Sequence, residues 1–475
     1  MSSPRPPTYL PRSRFEESSM TTLHVPAPAV STAGRAPTTA APGRDRSIDL
    51  IRSASLVLVV LLHAMMVGVT LSGGEPVFEN ALETDWFDPV SWFVQMMPLF
   101  FFAGGFTAFG SWRRARARGM SASAFVSGRV IRLMTPAVAL FVAIAAGLAA
   151  LTLAGVPADI VATAGFRISQ PLWFLGVFLL AQALVPAMAS WHERRPALAL
   201  ATLVTAAAAI DAVRFATGWE AIGFLNLAVV WLFVQQLGFC DADGLIARVP
   251  RRIRMGGAFG LLGGLVVLVA TTPYVANMYA NQDPPTLVLA VLAVVQVAFF
   301  SLARPHLARF AQRQGVARAV AWIGDRAMTI YLWHMTVLIA LAGFSVIGAM
   351  SGLIVLPDLH SAQWWLTRPA WLLAAVVAVA LVSAAAARFE RKPMPLPSGA
   401  AWRTVPATAL GVGCVVIIFV VGLTWVTAVA CAVLAAVAIA LAGDIPLGKT
   451  RGFAIPLAAS PRDAGGVARE NGVRA

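Results

Sequence analysis

The sequence predicts an all-α, polytopic transmembrane helical bundle of about ten core spans plus a C-terminal helical pair. Three observations predict it. Of the 475 residues, 59% are hydrophobic and 12% are charged, about half the charged share of an ordinary soluble domain. Apolar runs follow one another at roughly 20 residues each, the length that crosses a bilayer as a helix. The arginines, finally, gather in every second loop between those runs.

Residues 1–43 are rich in Pro, Ser, Thr and Ala, lack an apolar period, and are read as a disordered cytoplasmic tail. They hold no apolar h-region, which argues against a signal peptide. The first apolar run extends from Ile48 to Leu71. Further runs lie near 90–111, 133–153, 170–190, 197–213, 221–239, 255–274, 286–303, 322–347, 365–387, 405–422 and 424–442. Each satisfies its backbone hydrogen bonds internally as a helix, as lipid demands. Residues 44–390 thus form one transmembrane domain, 391–404 a cytoplasmic linker, 405–443 the C-terminal pair and 444–475 a second disordered cytoplasmic tail. Gly422-Leu423-Thr424-Trp425 is a very short turn, so that pair reads as two spans, one long tilted helix or a re-entrant hairpin.

A net charge of +14 would point to nucleic acid in a soluble protein. Here the arginines occupy short inter-span segments, so they read as topology signals and lipid-headgroup contacts, with no nucleic-acid partner. One set of loops carries Arg113, Arg114, Arg116, Arg118, Arg129 and Arg132, then Arg194 and Arg195, and later clusters through Arg403. The alternate loops carry Arg167, Arg214 and Arg368, while 72–89 is purely acidic. The positive-inside rule then puts both termini in the cytoplasm. Nearly all the positive charge is arginine, which suggests a GC-rich genome and fits a bacterial plasma membrane. Cys240, Cys414 and Cys431 lack metal or disulfide spacing and read as packing residues, so no metal is expected. Trp86, Trp92, Trp173, Trp364, Trp365 and Trp371 fall near outer span ends and read as an interfacial aromatic belt.

Ionisable groups inside a span are costly, roughly 2.5–3.5 kcal/mol for a central charge on insertion scales, so the few present are candidates for function. His63 lies about fifteen residues into the first run, near mid-membrane. Arg52, eleven residues earlier, returns to within roughly 20° of the same helix face about 16 Å away. The two cannot touch, but a long, thin ligand with an anionic end and a reactive end could bridge them. Taken alone, Arg52 reads as a snorkelling residue, Asp49 as its helix-surface partner, and His63 as a packed histidine bonded to a neighbouring helix. His334, in Ile330-Tyr331-Leu332-Trp333-His334-Met335, enters from the same side and is expected at a similar depth, which suggests a polar cavity shared by two histidines.

The stretch Arg46-Ser47-Ile48-Asp49-Leu50-Ile51-Arg52, followed by apolar residues to His63, resembles the Arg-x10-His pattern of membrane acyltransferase family 3. Similar too are Met97-Pro98-Leu99-Phe100-Phe101-Phe102-Ala103-Gly104-Gly105-Phe106, Arg129-x-x-Arg132-Leu133 before Pro136, Leu172-Trp173-Phe174-Leu175, and Ile330-Tyr331-Leu332-Trp333-His334. The resemblance covers roughly 44–390. It implies an O-acyltransferase that moves an acyl group, commonly acetyl, from cytoplasmic acyl-CoA to a hydroxyl of a sugar, envelope glycan, lipid or macrolide-type acceptor. Carried over by position, it implies His63 and Arg52 as an essential pair and Arg129 with Arg132 as the second basic motif. Gly104-Gly105-Phe106 stands where Ser-Gly-Phe is common in the family, which leaves that serine's role without a counterpart here.

The residues suit this chemistry by themselves. A neutral imidazole accepts a hydroxyl proton, and arginines at the cytoplasmic mouth suit the phosphates of CoA. His63, with His334 as its rival, is the candidate base, and Arg52, Arg129 and Arg132 are the candidate acyl-CoA contacts. Two other classes remain open at this point: a twelve-span secondary transporter, and a non-catalytic envelope-assembly protein.

Overall fold

The structure, a computed structural model, describes residues 45–390 and 394–443. The tails expected at 1–43 and 444–475, and part of the expected linker, lie outside the described residues. Among the described residues twelve segments are long and apolar enough to cross a membrane, and most of the described chain is helical.

The first span is α1 (Arg46–Met66). Asp45 caps it, its carboxylate accepting from the backbone N–H of Ser47 at 2.8 Å and of Ile48 at 3.2 Å, which satisfies two otherwise orphaned donors. The helix stops at Met66 rather than continuing to Leu71. Val67–Ser72 (β1) and Glu75–Asn80 (β2) instead pair antiparallel, Val67 opposite Asn80 and Ser72 opposite Glu75. Gly73 and Gly74 join them with φ of 61° and 90°, backbone that two glycines adopt without steric cost and that tight hairpin turns require. β-Branched Val67, Val69 and Thr70 favour the extended form over another helical turn. The Gly-Gly pair carried this signal, and the apolar run concealed it.

The run expected at 90–111 divides into α2 (Phe87–Val94) and α3 (Met97–Ala117). Gln95 fills the break. Its Nε2 donates to the Met278 carbonyl and to Gln282 Oε1, both at 3.1 Å, its Oε1 accepts from the Met97 N–H, and Gln296 donates to its backbone carbonyl at 2.8 Å. A broken helix at membrane depth needs such replacement partners. Then come α4 (Ala122–Leu153), α5 (Ala158–Ser169), a 3-10 turn over Gln170–Leu172, and α6 (Trp173–Ala183). The span expected at 170–190 thus begins at Ala158, and α7 (Val185–Arg194) is a separate helix.

Next are α8 (Pro196–Thr217), a 3-10 turn over Glu220–Leu225, α9 (Asn226–Ala242), the short α10 (Leu245–Arg248) and α11 (Arg251–Thr271). They are followed by α12 (Leu287–Ala311), α13 (Gln314–Gly324), α14 (Ala327–Met350) and α15 (Ala362–Glu390). Finally α16 (Ala401–Val421) and α17 (Trp425–Ala442) are two distinct, packed helices, with Thr424 and Thr427 forming a reciprocal capping box at the turn. That excludes one long tilted helix.

The core is aromatic and tightly packed around α3. Phe101 stacks on Trp231 at 4.6 Å and Phe109 on Phe239 at 4.7 Å. Glycine lets α3 and α9 come this close. A Cβ on Gly105 would lie 2.3 Å from the Gln235 carbonyl oxygen, and one on Gly238 would lie 2.2 Å from that of Phe102, so side chains are excluded at both. A Cβ on Gly104 would meet the Phe178 ring at 3.2 Å. That ring occupies the space into which a serine there would project.

The arginine-bearing end is tied together by ion pairs. Arg304 on α12 donates to both Asp241 oxygens at 2.9 and 2.8 Å and to Asp45 at 2.6 Å, fastening three helices with a bidentate fork. Arg116 pairs with Glu193 at 2.7 and 2.8 Å, and Arg113 with Asp243. Most of the arginines assigned to loops stand on the first or last turns of helices.

The aromatic belt is only partly present. Trp86 and Trp365 are exposed, but Trp364 is fully buried, and Trp173 stacks on Trp231 at 5.8 Å. Trp92 and Trp371 donate their indole N–H to the carbonyls of Ala276 and Ala64, each at 2.8 Å. These four spend their apolar area on helix packing, and two of them use their polar edge to satisfy irregular or terminal backbone.

Candidate active site

Five residues at helical spacing, Arg52, Leu56, Val59, His63 and Met66, form one stripe along α1. The last four border a cavity of about 680 Å³. The stripe expected from the sequence is therefore the wall of an internal space, and Leu56 brings that space to within one turn of Arg52. Since α1 ends at Met66, His63 sits in its last turn, closer to the hairpin end than the mid-helix position expected.

His63 Nδ1 lies 2.9 Å from the Val59 carbonyl oxygen. A carbonyl only accepts, so Nδ1 carries the proton and the neutral ring keeps its lone pair on Nε2. His334 repeats the arrangement, donating from Nδ1 to the Tyr331 carbonyl at 2.6 Å. The two rings meet edge to face with centroids 5.0 Å apart. His63 borders the cavity, whereas His334 is wholly enclosed behind it and its Nε2 has no hydrogen-bond partner among the described residues.

Tyr331 links two of the sequence motifs. Its hydroxyl donates to the Pro171 carbonyl at 2.8 Å, just before Leu172-Trp173-Phe174-Leu175, and its ring meets Phe174 at 4.9 Å. Tyr331, Trp173 and Phe174 all border the cavity. Trp371 donates its indole N–H to the carbonyl of Ala64, the residue after His63.

On the arginine-bearing side, Arg52, Arg129 and Arg132 come together, the charges of Arg52 and Arg132 both acting on Arg129. Arg129 donates to Ser111 Oγ at 3.1 Å, and its guanidinium lies 4.8 Å from the Phe125 ring centroid. Three guanidinium groups gathered at one end of the cavity stripe favour anions there. Arg113 and Arg116 each pair with a carboxylate.

Toward the hairpin the cavity is bordered by Asn80, Glu83, Gln170, Gln282 and Asp283, and by the α16–α17 turn. Sequence reasoning assigned none of these to the site. Asn80 reaches the site through the hairpin pairing and Gln282 through the α2–α3 break, and neither has a local sequence signature. Burial raises the Asp283 carboxyl above the ordinary aspartate range.

Residues 45–388, well over half of the chain, match the family model described as an acyltransferase domain. The chain belongs to this membrane acyltransferase family. It is an acyltransferase enzyme and a multi-pass membrane protein. Comparison with curated proteins and with solved structures finds no match. The matched region holds Arg52, His63, Arg129, Arg132 and His334, while α16 and α17 lie beyond it.

Proposed function

We propose that this acyltransferase moves a short acyl group, acetyl in the simplest case, from cytoplasmic acyl-CoA to a hydroxyl of an envelope glycan, glycolipid or similar acceptor. The bacterial plasma membrane, with both chain termini cytoplasmic, is the proposed setting. The observation that carries the reading is the position of His63: it borders the cavity on the helix stripe that leads back to Arg52, beside Arg129 and Arg132. The concentration of arginine at that end supports its assignment to the cytoplasm, where the donor is found.

In this reading Arg52, Arg129 and Arg132 bind the phosphates of CoA, and the acyl thioester extends along α1 toward His63. The acceptor hydroxyl occupies the cavity. His63 Nε2 takes its proton as the oxygen attacks the thioester carbonyl carbon. The C–O bond forms, the C–S bond breaks, and the proton held by His63 returns to the CoA thiolate. Donor and acceptor meet directly, so no covalent acyl-enzyme is required, and holding both in place supplies much of the acceleration. His334 positions the His63 ring by edge-to-face contact and does not itself touch substrate.

The test is a comparison of envelope lipids and glycans from cells with and without the protein, combined with CoA release by the purified protein from acetyl-CoA. One acyl mass should be lost from one acceptor class, and His63→Gln should reproduce the loss. Unchanged acylation in a well-expressed His63→Gln strain would overturn the assignment.

A further inference from the structure

The C-terminal pair lies outside the matched acyltransferase domain, yet it closes one side of the cavity. Ile418, Phe419, Val421 and Leu423 border it. The pair is seated firmly: a Cβ on Gly165 of α5 would lie 2.1 Å from the Leu423 carbonyl oxygen, one on Gly176 would lie 3.0 Å from Val415, and Ser127 and Thr404 hydroxyls meet at 2.9 Å. Four apolar side chains bordering the cavity there are nonetheless exposed on the protein surface. Phe166 is 60% exposed, Phe224 44%, Phe419 50% and Val421 64%. All four belong to segments long and apolar enough to cross a membrane, where exposed apolar side chains suit hydrocarbon. The border of the cavity on this side is therefore apolar and exposed.

Hydrophilic groups border the same space. Asp283, Glu83 and Asn80 belong to its boundary, as does Gln170, whose buried Oε1 has no hydrogen-bond partner among the described residues. Carboxylate and amide groups recognise hydroxyls. A cavity with polar groups on one side and an exposed apolar border on another matches an amphiphile.

Resting on the acyltransfer reading above, we infer that the end of α16 and the turn through Thr424 form with α5 and the Glu220–Leu225 turn a lateral portal, open to the bilayer, through which a lipid-borne acceptor enters. Phe419, Val421 and Leu423 then determine acceptor choice. The hydrocarbon chain stays in the portal and the hydroxylated head group reaches His63. A water-soluble glycan needs no such mouth.

The test places the full-length protein in phosphatidylethanolamine/phosphatidylglycerol nanodiscs with dodecyl β-glucoside carrying a diazirine at the end of its alkyl chain. Illumination should label peptides spanning 162–170 and 418–424 in wild type and in His63→Gln alike. Labelling should fall several-fold in Phe419→Ser and Val421→Ser but not in Val267→Ser, which alters an exposed position on α11, a helix that contributes no residue to the cavity border. Label spread evenly over the lipid-facing helices, or unaffected by Phe419→Ser and Val421→Ser, overturns the portal. Acetyl-CoA-dependent CoA release is measured in parallel with methyl and dodecyl β-glucoside. Portal labelling without CoA release would support the portal and sink the acyltransfer reading. Release with methyl β-glucoside and no portal labelling would do the reverse.

Discussion

His63 and His334 meet edge to face at 5.0 Å, and the cavity wall lies between them and the open space unequally: His63 borders it and His334 stands enclosed behind. Removing the base should abolish proton transfer, so His63→Gln and His63→Ala should both lower kcat by roughly 10²–10⁴-fold while leaving the protein inserted. His334→Gln should lose less. In the double variant the His334 change should add little, since a positioning ring has nothing left to position. A rate that stays flat as pH is lowered would speak against His63, because a base must be lost as it becomes protonated.

Arg129→Ala and Arg132→Ala should raise the apparent KM for acyl-CoA. A charge-assisted phosphate contact contributes about 1.5–3 kcal/mol, or roughly 10–150-fold. Arg116→Ala is the informative comparison. Its guanidinium already pairs with Glu193 on the surface, where such pairs contribute about 0.2–1 kcal/mol, so donor KM should hold and stability should drop slightly. Equal KM effects at all three positions would reduce the cluster to a general positive field.

Asp45 gives a pH prediction for stability. Burial pushes its carboxyl up, but hydrogen bonds from Ser47 and Arg304 outweigh this and hold it below the ordinary value. A folded-state pKa that is depressed contributes stability above the unfolded value of about 3.9 and loses it as pH falls through the folded one. Asp45→Asn keeps a capping side chain and loses the charge opposite Arg304, so it should cost about 1–2 kcal/mol at neutral pH after allowance for partial exposure. Thermal unfolding should show the gap between variant and wild type closing below about pH 3.9. A gap that persists in acid would mean the carboxylate charge is not its source.

Gly105→Ala should destabilise by about 1–3 kcal/mol, since its methyl group would overlap backbone on α9 that cannot move alone. Gly104→Ser should be milder because only the Phe178 ring must shift. If Gly104→Ser restored no activity beyond wild type, the serine usual in the family would be dispensable in this chain. Unfolding temperatures and CoA release, measured side by side, separate the two effects.

Reporter fusions at Gly74 and Asp358 should read as outside, and those at Gly119 and Gly315 as cytoplasmic. A cytoplasmic Gly74 would reverse the side from which the donor approaches.

Composition and run length by themselves determined that the chain is a polytopic helical bundle of about ten core spans plus a C-terminal pair, because the cost of unpaired backbone in lipid leaves a long apolar run little alternative. Helical period alone set Arg52 and His63 on one stripe, and the motif order announced the family. The tertiary structure decided what periodicity cannot carry. The α1 run ended early because β-branched residues and Gly73-Gly74 found a pairing strand, and the α2–α3 break was stable because Gln282 and Gln296 arrived from distant loops and helices to bond Gln95. Depth along a helix could not choose between His63 and His334, since both rings reach the same place. Which of the two rings meets open space is a property of every surrounding helix at once, and His63 is the one that does. Likewise nothing local in Phe419 or Leu423 marks them as cavity residues. They became so only when glycines on α5 and α6 let the C-terminal pair approach within backbone contact, placing a segment from beyond the acyltransferase domain against its central space.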